Sequence, residues 1–473
     1  MSLEAVLSSI EERVTPDEAE RERFDRVADE LRARTRAALS ELDVDGDVVL
    51  VGSTARGTWL SGDRDIDMFV RFPPELDREE LVQYGLTVGH EVLPDGREEY
   101  AEHPYVKGRF EGFDVDLVPC YDVVDAAHIQ SAVDRTPFHS AYLEERLDAE
   151  LARDVRLAKR FLKGIGAYGS DLRTRGFSGY LTELLVCEYG GFVPLVEAVA
   201  EWHPPVEIDP AAHGREAFDD PLVVVDPTDP ERNVAAVLSA ENLARFQHYA
   251  RELLADPREE LFFPPEREPL SAGELREHVR ERRTTPIAVV FEAPDVVDDQ
   301  LWPQLRRTLG GVVDGLDDQG FDVFRADAFA EETDGPADEQ GEAVLFLELA
   351  SPTVPAVARH VGPPVSVRNH AEGFYRKYDR GPRESGGSDD GSADTEDERV
   401  YGPYLVENRY VVERPREFTA ASEYLRSEAL LEVRTGSQLE GALEDRTVLV
   451  GDEVDELVTA FGRDLAAYFD PRP

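Results

Sequence analysis

VVLVGSTARGTWLSGDRDIDMFVRF, residues Val48 to Phe72, is the stretch on which the reading of the fold turns. Its first four apolar residues, Val48 to Val51, read as a short buried strand that stops at Gly52-Ser53, where a helix or tight turn begins. A helix start there presents free backbone N–H groups. With the Ser53 hydroxyl and Arg56 they make a phosphate-binding corner at a strand end. Nine residues beyond Arg56 stands Asp65-Ile66-Asp67, which opens the apolar run Met68, Phe69, Val70 of a second strand. Alternation puts both carboxylates on one face and Ile66 on the other. Two carboxylates held side by side repel each other unless a cation sits between them, and hard oxygen ligands of this kind suit Mg²⁺.

An acid-x-acid pair says little by itself in a chain where 100 of 473 residues are Asp or Glu. The order carries the weight: strand, Gly-Ser, a basic residue, then a spaced pair opening another strand. Gly112 to Tyr121, GFDVDLVPCY, offers a third carboxylate at a comparable place. Asp114 and Asp116 share one face of that strand, with Val115 and Leu117 on the other, and alternation does not choose between them. Three carboxylates beside a phosphate corner suit a two-metal site, and the reaction class is nucleotidyl transfer.

The pattern from Gly52-Ser53 to Asp67 resembles the polymerase-beta-like nucleotidyltransferases. Joined to FDVDLVPCY it is similar to the archaeal, class I CCA-adding tRNA nucleotidyltransferases. The likeness runs on through RTPFH (135–139), RLAKRFLKGIGAYG (156–169), RGFSGYL (175–181), DPTDPERNVA (226–235) and AEGFYRKY (371–378), most of the chain. It implies that Asp65 and Asp67 hold two Mg²⁺ ions and that Asp116, rather than Asp114, is the third ligand. It implies nucleotide contacts from Ser53, Arg56, His139, Lys159, Tyr168 and Arg232. The reaction implied is addition of C, C and A to the 3′ end of tRNA from CTP and ATP, without a nucleic-acid template. Two rivals stand beside it: a poly(A) or oligoadenylate polymerase with the same aspartates, and a non-catalytic RNA-binding adaptor.

A formal charge of −49 is unexpected for a partner of a polyanion. Only Lys107, Lys159, Lys163 and Lys377 among 51 basic residues are lysine, the composition of a surface adapted to high salt. At about 1 M salt the field of such a surface is screened within about 3 Å. Against that background Arg146 to Arg175 holds eight basic and four acidic residues, a sign opposite to the whole chain, which marks a triphosphate and RNA-backbone site including Lys163. Arg368 to Arg383 interleaves five basic residues with Phe374, Tyr375 and Tyr378. Arg368, Tyr375, Arg376 and Lys377 there suit RNA backbone and unpaired bases.

The expected fold is α+β and multidomain. Residues 1–130 form the nucleotidyltransferase head, a mixed sheet with helices. Residues 131–270 form a mostly helical central domain that binds nucleotide and tRNA. Residues 271–473 form a tRNA-binding ferredoxin-like body, read from a β-α-β-β-α-β order, with a tail inserted at about 352–418. A first helix is expected from Pro16 to Leu42, opened by Thr15-Pro16-Asp17-Glu18 as a capping box. Thr136-Pro137 caps another, with His139 in its first turn. Asp229 and Pro230 open a third, placing Arg232 and Asn233 in a first helical turn. The acid-rich segment 384–398 reads as a disordered loop. Cys120 and Cys187 lack a metal-ligand spacing and read as reduced core residues. With no apolar run of the ~18 residues a membrane helix needs, a cytoplasmic protein is expected. The residues do not fix oligomeric state, and a homodimer stays open.

Overall fold

The computed structural model describes residues 1–100, 102–331, 341–379 and 400–473. Two compact units emerge, Met1–Glu266 with Pro473, and Arg267–Arg472. No helix among the described residues is long and apolar enough to cross a membrane.

In the first unit, helices α1 (Leu3–Val14) and α2 (Glu18–Ser40) precede strand β1 (Asp47–Val51), the short helix α3 (Gly52–Ala55) and β2 (Asp65–Phe72). Helix α4 (Arg78–Val92) and strands β3 (Arg97–Tyr100), β4 (Pro104–Phe110) and β5 (Phe113–Tyr121) complete a sheet of order β1-β2-β5-β4-β3. Only β2 and β5 pair parallel; the other neighbours are antiparallel.

Ile66, Met68, Val70 and Phe72 of β2, with Phe113, Val115 and Leu117 of β5, pack with Phe24, Val27 and Leu31 of α2 and Leu81, Val88 and Val92 of α4. Each such burial stabilises by roughly 1.5–3 kcal/mol, and a one-residue slip would turn every one of these side chains outward. The register is therefore strongly held. Alternation then sends Asp65, Asp67 and Phe69, with Asp114, Asp116, Val118 and Cys120, to the opposite face, where a small apolar cluster of Val51, Phe69, Val118 and Cys120 has Val49, Tyr105 and Val133 packed against it.

Helix α1 was not among the expected elements, although Val6, Ile10 and Val14 are fully buried against the helices that follow the head. The second helix starts at Glu18, not Pro16. The capping box is formed by Asp17 and Glu20, whose side chains each accept from the other's backbone N–H, while the Thr15 hydroxyl is buried without a partner.

After the head come α5 (Arg135–Glu144), α6 (Ala149–Gly164), α7 (Gly179–Tyr189), α8 (Phe192–Ala200), the small sheet β6 (Val206–Ile208), β7 (Leu222–Asp226) and β8 (Asp229–Asn233), and α9 (Ala240–Ala255). Phe161, Phe177, Phe192, Phe246 and Phe262 form the centre of their shared core, ring against ring. The helix expected at Arg232 and Asn233 is instead strand β8, hairpinned onto β7. Asn233 explains the change: its side chain accepts from Val224 N–H and donates to the Leu222 carbonyl, bonds that tie the segment to β7. His139 is the fifth residue of α5, past the first turn, because that helix already starts at Arg135.

The second unit contains α10 (Ala272–Arg282), β9 (Thr285–Glu292), α11 (Asp298–Gln319), β10 (Val323–Ala330) and β11 (Glu342–Leu349). Their sheet, of order β10-β11-β9-β15 with β15 at Thr447–Val450, is antiparallel throughout and matches the β-α-β-β-α-β expectation. Ile287, Val289 and Phe291 of β9 enter one core and Ala288 and Val290 another, so both faces are covered. After the tail, α-helix Ala421–Arg426 ends at Ser427, whose hydroxyl accepts from Ala429 N–H and separates it from a 3₁₀ turn.

Between β11 and that helix lies a separate sheet of β12 (Val357–Pro364), β13 (Tyr401–Val406) and β14 (Arg409–Pro415), with helix α12 (Arg368–Tyr378) packed on it. The acid-rich segment 384–398 lies outside the described residues.

Candidate active site

Strands β2 and β5 run in register, Asp65 opposite Asp114 and Asp67 opposite Asp116, which brings the carboxylates of the open face together. Burial and the charges of Asp116 and Asp65 push the Asp67 carboxyl up to about 6. Burial with Asp63 and Asp114 raises Asp65, and burial raises Asp116. Asp114 is drawn off to Arg109, 2.9 Å from its Nε.

Gly52, at the head of α3, lies directly beside Asp67. Its φ is +78°, and a Cβ there would meet the Asp67 carboxylate, so the tight Gly-Ser turn and the carboxylate position require each other.

Oxygen donors of this kind, desolvated and repelling one another, fit a divalent cation. Among the described residues no three His, Cys, Asp or Glu side chains stand converged as a ready-made cage. A cation of the chain's own stands nearby: Lys107, opposite Asp116 in the β4–β5 register, has its Nζ 3.4 Å from Asp116 Oδ1.

Behind the turn, Arg56 and Lys159 meet on a residue that the motif reading passed over. Glu183 of α7 is fully buried and accepts from Arg56 Nε at 2.9 Å and Nη2 at 2.6 Å, from Lys159 Nζ at 2.9 Å, and from the Thr58 hydroxyl. Burial alone would raise its pKa, but Lys159 and Arg56 hold it below the usual carboxylate range. Arg56 also donates to Ser140 Oγ at 2.8 Å, and Arg156 to the Gly57 carbonyl at 2.6 Å. Lys159 of α6 is almost wholly buried, because Glu183 gives its ammonium a partner. Arg56, Lys159 and Glu183 together leave one net positive charge beneath the turn.

A second buried carboxylate, Asp226 at the end of β7, gathers another group of the expected residues. Its Oδ2 accepts from His139 Nε2 at 2.8 Å and Arg232 Nη1 at 2.6 Å. Its Oδ1 accepts from Thr228 N–H at 2.9 Å, Thr228 Oγ1 at 2.8 Å and, more weakly, Tyr180 OH at 3.4 Å. Against the effect of burial, the His139 and Thr228 bonds hold Asp226 far below the usual range. The His139 ring stacks on Tyr180 at 4.0 Å between centroids.

Tyr168 pairs with Phe177 in an isolated bridge. Lys163 Nζ sits 5.4 Å above its ring and 3.4 Å from Asp63 Oδ1. Burial raises the Tyr168 pKa, so its hydroxyl stays a donor at neutral pH.

Of the basic and aromatic residues singled out on α12, Arg368, Tyr375, Arg376 and Lys377 are all exposed. Arg368 and Arg376 share Glu372, and with Tyr375 and Tyr410 they line a groove of about 280 Å³.

Glu183 and Asp226 each left a faint mark in the sequence. Glu183 is a charge inside GYLTELLVCEY, otherwise apolar around most of its circumference, and Asp226 ends the wholly apolar run Leu222 to Val225. A charge in such surroundings needs a buried partner.

A head sheet of this order with its carboxylates beside a Gly-Ser turn is that of a polymerase-beta-like nucleotidyltransferase, a superfamily that generally uses divalent metal ions. Residues 32–139 match the nucleotidyltransferase domain, 153–263 the second domain of tRNA nucleotidyltransferase, and 282–451 the C-terminal domain of the CCA-adding enzyme. The chain is 62% identical to the CCA-adding enzyme of Halorubrum lacusprofundi over 100% of its own length and 99% of that protein. It is 56% identical to that of Haloarcula marismortui, with 99% of each covered, and 43% identical to that of Methanoregula boonei, covering 90% of this chain and 87% of the other. The chain belongs to the CCA-adding enzymes. The first two relatives come from halophilic archaea, which fits the salt-adapted reading of its charge.

Proposed function

We propose that the open face of the head sheet performs the family's reaction on tRNA, adding C, C and A in turn to the 3′ end from CTP and ATP with release of pyrophosphate. The observation that carries this is the register of β2 with β5, which lines up Asp65, Asp67 and Asp116 beside the Gly52-Ser53 turn.

Asp65, Asp67 and Asp116 would hold two Mg²⁺ ions. Such ions supply positive charge that lowers the pKa of the RNA 3′-hydroxyl and offsets charge on the phosphates. The chain's own part is to bind and orient. Ser53 and the backbone of the turn donate to phosphate oxygens. Arg56 and Lys159, fixed by Glu183, provide the net positive charge behind the triphosphate. Tyr168 donates its hydroxyl near the sugar, while His139 and Arg232 orient the nucleotide. Arg368, Tyr375, Arg376 and Lys377 of α12, with Lys163, contact RNA.

The test is incorporation of labelled CTP and ATP, separately and together, onto tRNA transcripts lacking CCA, in molar KCl with Mg²⁺. Two C additions and then one A are expected. Long A tails from ATP alone would replace this reading with a poly(A) polymerase, and no incorporation at any salt concentration would leave an RNA-binding adaptor.

A further inference from the structure

Asp226 makes no contact that a nucleotide could replace: it is wholly buried, and its oxygens are engaged by Thr228, Tyr180, His139 and Arg232. Its two ends do different work. Oδ1 is anchored to the turn that follows β7 through both the backbone and the hydroxyl of Thr228. Oδ2 reaches the two groups that come from distant places, His139 on α5 and Arg232 on β8. The peptide carbonyl of the same residue accepts from His213 Nε2 at 2.9 Å, which fixes the backbone as well.

Among the described residues Arg232 commits Nη1 to Asp226 and no other side chain, and 37% of its side chain stays exposed. A guanidinium has five N–H donors in a rigid planar fork. One corner clamped to a buried carboxylate leaves the opposite edge with a defined direction. Without the clamp a long exposed arginine spreads over many rotamers, and ordering it on binding costs side-chain entropy.

We infer that Asp226 is a positioning residue for nucleotide selection, aiming the free edge of Arg232 and the ring of His139 at the incoming base and sugar. The inference rests on the proposed function and names a residue through which that site chooses its substrate.

The chemistry of the bases says why direction matters. The pairing edge of cytosine carries acceptors at O2 and N3, and that of adenine an acceptor at N1. At the corresponding ring position uracil and guanine carry an N–H donor. A guanidinium held in one direction can donate to the first pair and is opposed by the second. One free to swing finds other acceptors on any base and discriminates less. A site built to hydrogen-bond its substrate rejects an analogue that leaves those donors unpaired.

The experiment uses the full chain in molar KCl, comparing wild type, Asp226→Asn, Arg232→Ala and the double variant. The readouts are kcat and KM for CTP, ATP, UTP and GTP on tRNA ending in each intermediate. Asp226→Asn is expected to raise KM for CTP and ATP and to reduce discrimination against UTP and GTP at least about tenfold. In the Arg232→Ala background the same change should leave discrimination as it was, because its route to the base is gone. Equal losses in both backgrounds would mark Asp226 as merely structural and overturn the inference, as would a single variant with wild-type selectivity.

Should Asp226→Asn fail to fold, Thr228→Val loosens the Oδ1 anchor without touching Arg232 or His139. It is expected to lower selectivity about threefold, and unchanged selectivity in a folded Thr228→Val protein overturns the inference. Failure of the underlying reading is separate: wild-type protein that adds neither C nor A removes the proposed function itself.

Discussion

The first unit holds buried or half-buried carboxylates of two opposite kinds. Asp65, Asp67 and Asp116 crowd one another on the open face of the sheet, and all three are shifted toward the protonated form. Glu183 and Asp226 are buried more deeply, yet both are held ionised, because Arg56 and Lys159 meet the one and hydrogen bonds from His139 and Thr228 meet the other. The same chemical group thus does two jobs. Where the chain supplies the cations the carboxylate is a fixed strut; where it supplies only a marginal lysine, the carboxylates are left to be completed by something that binds.

Breaking the crowded set should have the largest effect. Asp67→Asn is expected to lower incorporation roughly a thousandfold or more, with tRNA affinity within a few-fold of wild type by filter binding. An active variant would show that the crowding on this face has another purpose.

Breaking a strut should act first on stability. Glu183→Gln leaves Arg56 and Lys159 buried without their counter-ion, and should cost about 3–5 kcal/mol by denaturant unfolding. An unchanged midpoint would mean that the buried pair contributes no more than an exposed one does.

Acidity should separate the two kinds by sign. With no divalent metal present, the folded state at Asp67 binds more protons than the unfolded state between about pH 4 and pH 6, so this contribution falls as pH rises, by at most about 2–3 kcal/mol. Glu183 and Asp226 run the other way. Their contribution is present above the ordinary carboxylate range and is lost as pH falls below about 4 toward their depressed folded values. Unfolding curves from pH 3 to 8, with and without Mg²⁺, check this. Added Mg²⁺ should stabilise the protein above about pH 6 and have little effect near pH 4.

The smallest effect sharpens the contrast. Lys107 lies 3.4 Å from Asp116, and it is partly exposed. Lys107→Met should tighten divalent-metal binding about threefold while changing stability by under about 1 kcal/mol, measured by calorimetric titration. Weaker metal binding would make Lys107 a helper of the site rather than a competitor in it.

Much of this arrangement was written locally. The alternation in DIDMFVRF and FDVDLVPCY put the carboxylates on one face because the residues between them had to enter a core, and that needs no knowledge of the rest of the chain. The β-α-β-β-α-β order of the second unit was likewise legible from runs of apolar residues. Local signals also misled. Asp229-Pro230 looks like a helix start, yet Asn233 ties the segment to β7, and a hydrogen bond to a neighbouring strand outweighs a capping preference worth about 1 kcal/mol.

The motif order by itself determined the class of chemistry and the strands that carry it. Only the tertiary structure decided that Arg56 and Lys159 share Glu183 and that His139 and Arg232 share Asp226. Arg56 lies 127 residues from Glu183, and His139 lies 87 from Asp226. Periodicity records which way a side chain faces on its own strand or helix. The partner of a buried charge is set by which elements pack together, and that choice belongs to the whole core rather than to any one stretch of sequence.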